Sequence, residues 1–108
     1  MITYEIVDSD VSKVKPMDEE LLCEEIEELI EHFALTITQR TTLSTKKGCY
    51  HWHTKKGRQK GVLEVTYWPK HGRISLEIAD NRKAEWNLKL IPEMAEQVAE
   101  RYGGQVVV

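Results

Sequence analysis

The stretch LEVTYWPKHGRISLEI, residues 63–78, constrains the fold more than any other part of the chain. Leu63, Val65 and Tyr67 alternate with Glu64, Thr66 and Trp68; beyond PKHG, Ile74, Leu76 and Ile78 alternate with Ser75, Glu77 and Ala79. A period of two marks a strand with one buried and one solvated face. A two-residue loop at Lys70–His71 pairs Trp68 with Arg73 and Val65 with Leu76, which puts every one of those alternating apolar residues on one face. A slip of one residue would turn one strand's apolar set towards water, so the register carries a physical penalty.

The same test extends upstream and downstream. With Lys55–Lys60 as a loop, Thr54 faces Gly61 and Trp52 faces Leu63, adding Tyr50 and Trp52 to the apolar face. A tight turn at Lys47–Gly48 pairs Leu43 with Trp52. A three-residue turn at Asn81–Lys83 brings Trp86, Leu88 and Leu90 onto the same face as a further strand.

Helical periodicity flanks this region. Leu22, Ile26, Leu29, Ile30 and Phe33 form one stripe over Met17 to Phe33, behind Pro16 and with Asp18, Glu19 and Glu20 in the first turn. Ile91, Met94, Ala95, Val98 and Tyr102 form a second, from about Pro92 at the first position to Gly103 as a stop. The tail Gln105–Val108 suits a short strand beside Ile2–Val7. The expected fold is α+β: a single domain, residues 1–108, built as a two-layer sandwich. An antiparallel β-meander of four to five strands carries an N-terminal and a C-terminal helix on one face.

Composition narrows the function classes. The 108 residues are 41% hydrophobic and 31% charged, which is globular. No apolar run is long enough to span a bilayer, and MITYEIVDSD lacks the basic-then-apolar order of a secretory signal. Cys23 and Cys49 sit on different elements and suggest no disulfide framework, so a reduced, cytoplasmic setting is expected. Charge is unevenly placed: residues 1–36 have a net of −9, residues 37–73 of +8 and residues 74–108 of −2.

GCYHWHTKKGRQKG, residues 48–61, gathers the unusual chemistry. By alternation Cys49, His51 and His53 face away from the helices. The expected register aligns Ser44, His51, Glu64 and Glu77 in one row and Lys46, Cys49, Thr66 and Ser75 in the next. A third row holds Thr42, His53, Val62 and Ala79. Glu64 and Glu77 would then lie about 5 Å apart, where like charges repel, and His51 could relieve them, act in acid–base chemistry or help hold a cation. Two histidines at i and i+2 are about 6.6 Å apart along a strand, close enough to converge on one ion with Zn–N bonds of about 2.0 Å. Glu64 is the third candidate ligand, since Cys49 lies about 13 Å from His53 along the strand.

The basic loop is the other candidate. Lys55, Lys56, Arg58 and Lys60, with Arg82 and Lys83, are expected at one pole of the sheet, and Trp68 with His71 at the other. Such cations contact phosphates or acidic surfaces, an exposed Trp68 could stack on a base, and basic turns also protect sheet edges. No nucleophile elbow, P-loop, zinc ribbon or RNA-binding signature is present, so enzyme activity ranks below binding and no cofactor is expected. The reading is a binding module for a protein partner, a second copy of itself or a nucleic acid, without a membrane role. The alternative is a small enzyme or metal-dependent protein centred on His51, Glu64 and Glu77, with His53 assisting.

Overall fold

Residues 63–78 fold as the hairpin their alternation demands. In the computed structural model, which describes residues 1–9, 19–42 and 49–108, Leu63–Trp68 pairs antiparallel with Arg73–Ile78. Trp68 stands opposite Arg73, Val65 opposite Leu76 and Glu64 opposite Glu77, as the pattern requires. The connection is one 3₁₀ turn, Pro69–His71, rather than a two-residue loop. Gly72 closes it at φ 58°, a left-handed conformation that costs glycine little.

Eight principal elements follow one another: β1 (Ile2–Val7), α1 (Glu19–His32), β2 (Thr36–Thr42), β3 (Tyr50–Lys55), β4 (Leu63–Trp68), β5 (Arg73–Ile78), α2 (Glu85–Tyr102) and β6 (Gln105–Val107). The strands form one antiparallel sheet in the order β2-β3-β4-β5-β1-β6. A four-strand meander is therefore extended by β1, and the tail adds β6 outside it, which makes six strands. Trp52, Leu63, Val65, Tyr67, Ile74, Leu76 and Ile78 from the sheet join Leu22, Ile26, Ile30, Ile91, Met94 and Val98 from the helices in one core cluster. Both helices thus cover the same face, and the fold is the α+β two-layer arrangement expected. Pro16, Met17, Asp18, Leu43 and the Lys47–Gly48 turn lie outside the described residues.

The segment Trp86–Leu90 is not a strand. It belongs to α2, which begins seven residues before Pro92 and holds that proline inside it. The burial explains why: Trp86, Asn87, Ile91, Met94 and Val98 are buried, whereas Leu88 is 43% exposed, a helical rather than an alternating pattern. Asn87 anchors the start. Its Oδ1 accepts from Ala84 N at 2.9 Å, and its Nδ2 donates to Arg82 O at 2.9 Å and Val62 O at 3.1 Å.

That clamp also explains a shifted register. Trp52 pairs with Val65 and Thr54 with Leu63, two residues from the expected partners. Val62 is drawn out of the hairpin, because its N–H donates to Arg82 O at 3.3 Å. Gly61, at φ 104°, passes so close to α2 that an added Cβ would lie 2.6 Å from the Ala84 Cβ. A shift of two preserves which face each side chain takes, so the apolar set stays inside. On the other side Trp52 pairs with Arg40, not Leu43. The Arg40 guanidinium lies 5.9 Å from the Tyr50 ring and 6.0 Å from the Trp52 ring, and it reaches Glu20 at 3.4 Å and Glu27 at 3.7 Å on α1. This cation links β2 to the acidic helix across the Tyr50 and Trp52 rings.

Candidate metal centre on the open sheet face

With both helices on one side, the polar alternates of the central strands line the other. The two-residue shift sets His53 directly opposite Glu64 and His51 opposite Thr66, so the row built around His51 and Glu64 is corrected. Both histidines nevertheless converge on Glu64. Its Oε1 is 2.9 Å from His51 Nε2 and 3.3 Å from His53 Nε2. Across the His51 ring, Nδ1 hydrogen-bonds Thr66 Oγ1 at 2.7 Å. The imidazoles meet edge to face, with centroids 5.1 Å apart. One donor atom from each of His51, His53 and Glu64 lies within 4.8 Å of the others. Side-chain exposure is only 12%, 25% and 15% respectively, so the cluster is mostly dehydrated yet reachable.

Next to it is a hollow of about 250 Å³ lined by Glu5, His51, Thr66, Trp68, Arg73, Ser75 and Glu77. Glu77 stands opposite Glu64 on β5 and faces this hollow, separate from the three-residue cluster. Arg73 lies on the wall; its Nε is 4.0 Å from Glu5 Oε2 and has no hydrogen-bond partner among the described residues. A larger hollow, about 540 Å³, separates the helices and is lined by Glu28, Leu29, His32, Gln97, Glu100 and Arg101. Arg101 there is already paired with Glu25 at 3.1 Å, and among the described residues no convergent set of metal-ligating atoms lines it.

At one end of the sheet the β3–β4 loop meets the start of α2, joined by the Val62–Arg82 hydrogen bond and a 2.7 Å bond from Trp86 Nε1 to Lys60 O. Arg58, Lys60 and Arg82 are exposed, and Lys55 and Lys56 partly so. Lys83 is paired with Asp80 at 3.6 Å. Trp68 stands at the opposite end, half-buried, with its ring 4.4 Å from that of His71.

The cysteines take no part in the cluster. Cys49 is fully buried rather than open, although it stays outside the main core cluster. Cys23 is buried in the core, where desolvation pushes its thiol up to about 12, so it is protonated and unreactive near neutrality. Sequence reasoning placed His51, His53 and Glu64 on one face but missed Thr66 as the His51 partner and Glu5 as the Arg73 counter-ion. Thr66 shares the parity of Glu64 on β4, and only the two-residue shift brings it opposite His51. Among the described residues no helix is long and apolar enough to cross a membrane. No protein family, curated protein or solved structure matches this chain.

Proposed function

We propose that this chain is a small binding module whose working surface is the sheet face turned away from the helices, and that its partner is a protein with an acidic segment. The observation that carries this reading is the hollow on that face, where Trp68 and Arg73, residue types that anchor protein interfaces, stand beside His51 and Glu77. The basic loop at the sheet end, rather than the carboxylate-lined hollow, receives the partner's acidic residues and steers its approach. A nucleic acid is the weaker fit: Trp68 lies at the far end of the strand from the basic loop, and the Arg73 beside it is faced by Glu5 in a hollow that also holds Glu77. Cys23 and Cys49, both buried and neither in a disulfide, suit a cytoplasmic setting.

Fluorescence anisotropy of a labelled glutamate-rich peptide and a labelled single-stranded oligonucleotide of equal net charge tests this. Peptide binding that weakens from low to physiological salt, and drops at least about tenfold in Arg58→Glu and in Trp68→Ala, is expected. Tighter binding of the oligonucleotide would transfer the function to nucleic acid. Silence with both at low salt would remove the reading.

A further inference from the structure

We propose that His51 Nε2, His53 Nε2 and Glu64 Oε1 form a zinc site with one coordination position open to the neighbouring hollow. This goes beyond the binding-module reading and stands or falls without it. The distances carry it first. Ligands at about 2.0–2.2 Å around a tetrahedral ion are separated by about 3.3–3.5 Å. The carboxylate oxygen already lies 2.9 and 3.3 Å from the two imidazole nitrogens, and all three donor atoms lie within 4.8 Å of one another, so side-chain adjustment alone brings them onto one ion.

The ligand set points to the element. Two imidazoles and one carboxylate suit a borderline divalent ion such as zinc, whereas magnesium and calcium take oxygen donors. Support comes from the other side of the His51 ring. With an ion bound, the His51 proton would sit on Nδ1 and be donated to Thr66 Oγ1, 2.7 Å away, which leaves the Nε2 lone pair for the metal in place of its 2.9 Å contact with Glu64. Thr66 is therefore a positioning residue. All three ligands stand on adjacent paired strands, β3 and β4, which hold them more rigidly than loops would.

Electrostatics favours the same occupant. Glu64 faces Glu77 across the β4–β5 pair, while the Arg73 guanidinium in the hollow is engaged by Glu5. A dication at Glu64 offsets that repulsion. Three protein ligands leave a fourth position for water or for an oxygen of the bound partner, with Glu77 and Thr66 on the wall nearby.

Isothermal titration of the chelator-treated protein with zinc chloride tests the site, alongside an NMR record of all four histidine rings. One equivalent is expected to bind, shifting the ring signals of His51 and His53 and leaving those of His32 and His71 in place. Glu64→Gln and His53→Ala should each weaken binding by more than about 100-fold, and Thr66→Val by about 10–100-fold, with His32→Ala unchanged. The ring signals are read on the unsubstituted protein, so they decide the matter even where a variant loses its fold. Absence of heat, shifts at the other histidines, or affinity unchanged in folded Glu64→Gln would overturn the proposal.

Discussion

Tyr67 carries a polar atom that the fold leaves stranded. The side chain is fully buried between the sheet and the helices, and its hydroxyl has no hydrogen-bond partner among the described residues. Desolvation holds the phenol protonated well above its ordinary range. Removing the hydroxyl while keeping the ring should help, because an unsatisfied buried hydroxyl costs about 1–3 kcal/mol. Tyr67→Phe is expected to raise stability by about 1 kcal/mol in urea denaturation, and a loss of that size would show that the hydroxyl is bonded. The ring itself stays useful: it stacks on Tyr50 at 5.8 Å and helps seat β3 on β4. At this scale the sequence reveals which way a side chain faces but not its partner. Parity placed His51, His53 and Glu64 together, whereas the pairing of His51 with Thr66 depends on a two-residue shift that parity cannot detect.

Elements in this chain are decided by where their polar anchors reach. Trp86, Leu88 and Leu90 alternate as a strand would, yet the segment is helical because Asn87 caps the turn before it and bonds two carbonyls, Arg82 O and Val62 O. Those bonds join segments 25 and 5 residues away in sequence, so no local pattern announces them. The hairpin of β4 and β5 shows the converse: its register follows from alternation and one turn, and both lie within the segment. Asn87→Ala leaves the Ala84 N–H and two carbonyls without their side-chain partner. It should cost about 2–4 kcal/mol in urea denaturation and loosen the Gly61–Val62 connection, seen as faster amide exchange at Val62. A cost below about 0.5 kcal/mol would mean that the α2 start does not depend on the clamp.

The whole molecule has two unlike faces. One is closed by the helices, where acidic α1 meets Arg40 through Glu20 and Glu27. The other is open, with histidines, carboxylates and a guanidinium around a hollow and cations at the sheet end. This division follows from strand parity and the helical stripes, so it was legible before any coordinates were. The Glu5–Arg73 pair and the hollow were not, since they depend on β1 entering the sheet beside β5 and carrying Glu5 to Arg73. A backbone-amide NMR map of the glutamate-rich peptide complex tests the central claim most directly, that the open face is where the protein works. Shifts are expected at His51–His53, Glu64–Trp68, Arg73–Glu77 and the loop 56–60, with α1 unmoved. Shifts confined to α1 and α2, with those strands silent, would contradict it.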